Sequence, residues 1–418
     1  MSTINAKYLV ESALDLREVA ELIVGEQSTG TFIRVASEND EIRARSRGQV
    51  VSVKQTGTVE NPSLPSEFNI RHEIKGPFNQ GEVQIGFPAP NVSANLPTLM
   101  ATIAGNIFEL GQLTGIRLLD FDIDADYSRQ FASPHFSVAG TRKLSGVEDR
   151  PILGTIVKPN LGMTPDETAE IVASLCKAGL DFIKDDEVLA NPTFCSFDNR
   201  TKAVMRVIND HAQATGKKVM YAFNITDEFD TMRRNAELIR SLGGTCAMVS
   251  LNWVGYSSVQ TLSKDIELPI HGHRNGFAAM SRNSFLGMSG SVYAKSWRLA
   301  GVDHLHVNGL QSKFWEPNSS VIETARACVS RLGECSPSVP VFSSGQWAGL
   351  LPETVKSFGS GDFMFLAGGG IIGHPDGIAS GVESVKQAWV AARDGIELTD
   401  HSAANPELCR AIETFGGI

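Results

Sequence analysis

From about residue 150 the chain alternates apolar strand-like runs with amphipathic helical ones, and it does so eight times. PILGTIVKP precedes TPDETAEIVASLCKAG, DFIKDDE precedes FDNRTKAVMRVINDHA, and KVMYAFNIT precedes FDTMRRNAELIRSLGG. CAMVSLNW, LPIHGHR, VDHLHVNG, VPVFSSG and FMFLAGGG each open a further unit, the last closed by VESVKQAWVAARDG. Alternating strands and helices imply a parallel sheet, and eight units in roughly 250 residues imply a closed (β/α)8 barrel. An open doubly wound sheet would more often stop at about five or six strands. Local chemistry agrees: Thr164-Pro165-Asp166-Glu167 supplies an N-cap, a proline at the first helical position and a capping-box glutamate.

The first part of the chain reads differently. KYLVES, TFIRVA, QVVSVKQTG, FNIRHEI and EVQIGFPA resemble strands, and LREVAELIVGE and LPTLMATIAGNIFELG resemble helices. Strands in runs imply an α+β domain of ferredoxin-like type. The expected organisation is residues 1–145 as this domain and 146–418 as the barrel, with helices after Asp394 packing on it.

Composition narrows the function classes. Of 418 residues, 42% are hydrophobic and 20% charged, as in an ordinary soluble protein. A net charge of −10 disfavours nucleic acid as a partner, though local basic residues still permit an anionic substrate. No run is long enough to span a bilayer, and the N-terminus lacks a secretory pattern. The six cysteines are scattered without a CxxC pair, which suits a reducing cytoplasm.

Barrels of this kind carry their active sites at the C-terminal ends of the strands. Those ends read Lys158-Pro159-Asn160, Lys184-Asp185-Asp186-Glu187, His271-Gly272-His273-Arg274, His304-Leu305-His306, Ser343-Ser344-Gly345 and Gly368-Gly369-Gly370, with Lys313 in the loop after the sixth strand. Alone, a strand-end lysine is usually solvated, a histidine structural and a glycine run a tight turn. The agreement of separate strand ends carries the weight. Gly345 and Gly368-Gly369-Gly370 fit the usual phosphate site of such barrels, and Arg274 suits a second anionic group.

The run GLDFIKDDE is the most informative. A run of charges is commonly a solvated turn, but here it ends a buried strand. Strand alternation puts Lys184 and Asp186 inside the barrel and Asp185 toward the helices, with Glu187 able to turn back to the mouth. Two carboxylates suit magnesium. A protonated lysine would repel it, whereas a lysine carbamylated by carbon dioxide becomes an anionic oxygen ligand.

GLDFIKDDE resembles the signature of ribulose-bisphosphate carboxylase large chains, and the resemblance covers nearly the whole chain. It implies Mg2+ held by carbamylated Lys184, Asp186 and Glu187. It implies Lys158 as a proton-handling residue, and His273, Arg274 and His306 as catalytic and phosphate-binding groups. Lys313 falls at the mobile-loop lysine that grips the substrate carboxylate, and Ser343, Gly345, Gly368 and Gly369 fall at substrate and phosphate positions. Glu26, Thr31 and Asn106 match residues that complete a neighbouring subunit's site, implying a homodimer with shared sites.

Departures from that pattern point away from carbon fixation. Asn160 stands where carboxylases carry a second lysine, Ile156 replaces a threonine, Phe277 a histidine and Phe32 a tryptophan, and QSKFWEP is an unusual loop context. The chain is therefore similar to the carboxylase-like branch, whose working members form an enolate or enediolate of a phosphorylated ketone. Members of the methionine-salvage enolase type, acting on 2,3-diketo-5-methylthiopentyl 1-phosphate, have lysine at the place of Asn106 and lack HGHR and the loop lysine. The pattern here better matches apiose-pathway members acting on 3-oxo-isoapionate 4-phosphate. Decarboxylation of that acid is expected, with its transcarboxylase/hydrolase counterpart as the alternative. A non-catalytic phosphometabolite-binding protein is a further alternative, opposed by the intact Lys184, Asp186 and Glu187.

Overall fold

The computed structural model describes residues 2–30 and 35–417, which form two compact units. The first contains the chain up to Ala132 together with residues 276–300 and 330–335; the second contains 133–275, 301–329 and the chain from Ser336 onward.

In the first unit, alternating apolar residues drive the sheet. Strand β1 (Thr3–Ser12) buries Ile4, Ala6, Tyr8 and Val10 on one face, the period-2 signature of a half-covered strand. It pairs antiparallel with β3 (Phe78–Pro88) and β4 (Leu113–Asp122), while β2 (Gln49–Val59) flanks β3 and the short β10 (Leu286–Met288) runs parallel to β4. Helix Leu16–Glu26 supplies buried Val19, Ala20, Ile23 and Val24.

Three sequence expectations are corrected here. FNIRHEI is not a strand: Glu67–Arg71 is a helical turn whose N-cap, Ser66, accepts a hydrogen bond from the Asn69 amide. Ile70 is exposed, so the segment has no alternating apolar face to bury in a sheet. The helix in LPTLMATIAGNIFELG stops at Ala104, before Gly105, and continues only as a short 3-10 turn at Asn106–Glu109. The strand LTGIRLLDFD was not expected. Its first four residues are all buried, which breaks the alternation that marks a strand. Most of the expected strand TFIRVA lies outside the described residues, and Val35 and Ala36 are not in a strand.

The second unit is a closed barrel of eight parallel strands: β5 (Ile152–Ile156), β6 (Phe182–Lys184), β7 (Met220–Asn224), β8 (Cys246–Ser250), β9 (Ile270–His273), β11 (His304–His306), β12 (Val339–Phe342) and β13 (Met364–Leu366). Every one lies in a run identified from sequence. Parallel strands under a helical layer are buried on both faces, which accounts for runs such as MYAFN and CAMVS. Helix Pro165–Lys177 has the expected capping box at Thr164 and Glu167. Ile156, Phe182, Ala222, Met248, Val341 and Leu366 pack in the interior core.

Candidate active site

The interior layer positions the site. Moving two residues along each strand from that core, or from buried His271 and His304, reaches Lys158, Lys184, Asn224, Ser250, His273, His306, Ser343 and Gly368. Strand parity therefore sends one residue from each strand to the next inward layer, at the strands' C-terminal ends. Asn224 and Ser250 escaped the sequence reading, although this parity rule would have found them.

Lys184 is buried, and its Nζ donates to the Asp185 carbonyl at 2.8 Å and contacts Met248 Sδ at 3.4 Å. Burial lowers its pKa to about 8, against the opposing pull of the carboxylates of Glu187, Asp186 and Asp185. Asp185 faces outward as parity requires. It accepts from Tyr221 Oη at 2.6 Å and the Asn224 amide at 2.9 Å, and pairs with Arg200 of helix Phe197–Thr215. Asn224 Nδ2 bonds the carbonyls of both Asp186 and Glu187 at 3.1 Å, fixing the backbone that carries these two carboxylates.

Asp186 Oδ2 accepts from Lys158 Nζ at 2.7 Å, and Lys158 Nζ also donates to Asn160 Oδ1 at 2.6 Å. Glu187 Oε2 lies 3.5 Å from His273 Nε2. Desolvation, reinforced by the charge of Lys184, holds the His273 pKa at about 3, so the imidazole is neutral and able to accept a proton bond. His306 is buried between Ser343 Oγ, 2.9 Å from its Nδ1, and His271.

The remaining groups are distributed unevenly. Arg274 is buried and ion-paired with Glu316, which also accepts from Asn308 and Ser320. Gly345 has φ +70°, and a Cβ there would stand 3.2 Å from the Lys313 amide nitrogen. The positive φ favours glycine, and a side chain there would crowd the loop that carries Lys313. Lys313 itself is exposed, its Nζ 5.3 Å from the Phe314 ring centre, and is not drawn into the cluster. Gly368 and Gly369 lead into the short helix Gly369–Ile372; a Cβ on Gly369 would meet nothing within 4 Å, whereas one on Gly368 would face Lys158 and Ile156. In the first unit Asn106 Nδ2 donates to Glu26 Oε1 at 2.6 Å. Thr31 lies outside the described residues.

The donor set can be tested against magnesium. Among the described residues no group of three His, Cys, Asp or Glu side chains is arranged to hold a metal. Asp186 and Glu187 give two carboxylates, and the buried Lys184 amine beside them is the group that could gain a third anionic oxygen as a carbamate. With that modification the residues fit a hard, oxygen-seeking cation.

The catalytic domain of the ribulose bisphosphate carboxylase large chain matches residues 137–415, and its N-terminal domain matches residues 4–127. The chain belongs to the ribulose bisphosphate carboxylase large-chain family. Among its family relatives, a 3-oxo-isoapionate-4-phosphate transcarboxylase/hydrolase from Xanthobacter autotrophicus is 45% identical over 97% of this chain and 98% of its own. A 3-oxo-isoapionate-4-phosphate decarboxylase from Rhizobium rhizogenes is 41% identical over 99% of this chain and 98% of its own. A crystal structure of a rubisco-like protein from Burkholderia fungorum superposes with a TM-score of 0.94 at 45% identity, covering 99% of this chain and 100% of that one. An octameric ribulose-1,5-bisphosphate carboxylase/oxygenase from Pyrococcus horikoshii follows at 0.87 and 30%, covering 99% and 93%. Among the described residues no helix is long and apolar enough to cross a membrane.

Proposed function

We propose that this family member decarboxylates 3-oxo-isoapionate 4-phosphate in a magnesium-dependent reaction. The observation that carries the reading is the placement of Lys158. Its ammonium stands 2.7 Å from Asp186 and 2.6 Å from Asn160, a partly exposed proton-bearing cation beside the carboxylate pair. End-to-end likeness to relatives named for that one compound supports it.

A 3-oxo acid loses carbon dioxide by breaking its C2–carboxyl bond, and the electron pair moves onto the 3-oxo oxygen as an enolate. Lys184 as its carbamate, with Asp186 and Glu187, would hold magnesium, which supplies positive charge to offset that developing anion. Asn224 and Asp185 keep the Asp186–Glu187 backbone fixed. Lys158 Nζ then delivers a proton to C2, and the ketone re-forms as a four-carbon ketose phosphate. Lys313 orients the departing carboxylate, neutral His273 assists proton transfer, and His306 and Ser343 contribute to substrate binding. Backbone amides at Gly345, Gly368 and Gly369 and the Arg274 guanidinium anchor phosphate. Glu26, Thr31 and Asn106 complete the site of a second subunit in a homodimer, an assembly supported by the dimeric state named for an archaeal rubisco of the same fold.

A second reading has its own support. The transcarboxylase/hydrolase relative is 45% identical, and transfer of the carboxyl group from C2 to C3 of the same compound, followed by hydrolysis of the C2–C3 bond, would give glycolate and 3-phosphoglycerate. Incubating the bicarbonate- and magnesium-activated protein with 3-oxo-isoapionate 4-phosphate and identifying the products tests both. Carbon dioxide with a ketose phosphate is the expected outcome, and inertness toward this acid would overturn the proposal.

A further inference from the structure

A hydrogen-bond chain runs through the barrel interior to the mouth, and its direction is set at the far end. Thr141 Oγ1 lies 2.5 Å from the Ser137 carbonyl, a group that can only accept, so the hydroxyl proton is spent there. His304 Nε2 is 2.9 Å from the same oxygen and must donate to it, which leaves the other ring nitrogen of a neutral His304 bare. His271 Nδ1 stands 3.4 Å from His304 Nδ1 and therefore carries the proton of that contact. His271 Nε2 is then bare, and His306 Nε2, 2.7 Å away, supplies the proton between them. His306 Nδ1 is left as an acceptor for Ser343 Oγ at 2.9 Å. The thiol of Cys246, the other group near His304 Nδ1, lies closer to the Pro269 carbonyl, at 3.4 Å against 3.8 Å. Burial keeps His304 at a pKa of about 3 and holds His271 and His306 well below the usual range, so each ring bears one proton.

We infer that Ser343 shows the active site a lone pair and no proton, so that it receives a substrate hydroxyl and selects against an oxo or anionic oxygen at that position. His306 has both ring nitrogens occupied and is a positioning residue, acting on the substrate through Ser343. The inference rests on the proposed reading of the barrel mouth as the active site. Its structural half, the proton order, stands on the hydrogen-bond chain alone. Thr141 is the remote determinant: without its oxygen the three rings can reverse together, and the Ser343 hydroxyl then turns toward the ligand.

Two-bond 1H–15N correlation spectra of the full-length protein, labelled at histidine and recorded near neutral pH, read each tautomer directly. The expected result is a proton on Nε2 of His304 and His306 and on Nδ1 of His271. A proton on Nδ1 of His306 would overturn the inference, and the wild-type spectrum decides this even if variants fail to fold. Thr141→Val should mix the His306 tautomers and raise KM for a hydroxylated substrate about tenfold, the size of one lost hydrogen bond, with kcat within about twofold. Thr141→Ser should restore both. An unchanged KM in Thr141→Val would overturn the link to Ser343. Absence of turnover with the expected tautomers would instead overturn the proposed reaction.

Discussion

Lys158 Nζ and Asp186 Oδ2 stand 2.7 Å apart, joining the residue assigned to proton delivery with one assigned to the metal. Asp186 is buried while Lys158 is partly exposed, so the ammonium reaches a fixed carboxylate from the solvent side. Neutralising the lysine should separate the two roles. Lys158→Met is expected to lower kcat by about 10²- to 10⁴-fold, the usual worth of a positioned acid. Magnesium should activate the variant at an equal or lower concentration, since no ammonium competes for Asp186. Steady-state kinetics over a magnesium titration checks this, and a kcat within tenfold of wild type would remove Lys158 from the proton-transfer role.

Arg274 and Glu316 form a buried ion pair, and the carboxylate also holds Asn308 and Ser320. Breaking one side leaves a buried charge. Arg274→Met is expected to destabilise the protein by about 3–5 kcal/mol, and Arg274→Met with Glu316→Leu by much less. Denaturant unfolding of the two variants gives the comparison. Equal losses would show that the pair is not a coupled unit.

Buried His304 makes stability fall in acid. Its folded-state pKa is depressed to about 3, whereas the unfolded chain binds the same proton near pH 6.5. Above pH 6.5 neither state is protonated at His304 and it adds no pH dependence. Below that, the unfolded state gains a proton the folded state refuses, costing about 1.4 kcal/mol per pH unit until the folded pKa is reached. Unfolding free energies at pH 7 and pH 5 should therefore differ by about 2 kcal/mol from this residue alone. A His304 ring resonance titrating between pH 6 and 7 would contradict the assignment.

How much of this was legible in the sequence follows from what each segment buries. The barrel strands were readable because each is an apolar run ending in chemistry-bearing residues, as in Phe182–Lys184 followed by Asp185, Asp186 and Glu187. Parity correctly sent Asp185 outward to Arg200. Leu113–Asp122 was missed because its first four residues are all buried and break the alternation, and Glu67–Arg71 was misread because its isoleucine looks like a strand residue until its exposure is known. Asn224 and Ser250 were overlooked because no local charge pattern marks them; their importance comes from the layer they share with residues distant in sequence. The capture of Arg274 by Glu316, 42 residues away, is likewise a property of the fold alone.

Glu26 and Asn106 are bonded to each other in the first unit. If they serve a partner's barrel, two inactive chains should complement one another. Asn106→Ala mixed with Lys184→Ala under subunit exchange is expected to recover up to about a quarter of wild-type sites, the statistical share for random pairing in dimers with shared sites. Heterodimers that form without activity would show that each site is completed within one chain.

The central claim is that the enolate left by carbon dioxide is ended by a proton. The direct measurement is the reaction of 3-oxo-isoapionate 4-phosphate with the magnesium- and bicarbonate-activated protein in deuterated water, read by NMR and mass spectrometry. The account predicts one carbon dioxide and one four-carbon ketose phosphate per turnover, carrying a single deuterium at the carbon that lost the carboxylate. Glycolate and 3-phosphoglycerate in their place would contradict it and establish the hydrolytic reading, and unreacted acid would contradict both.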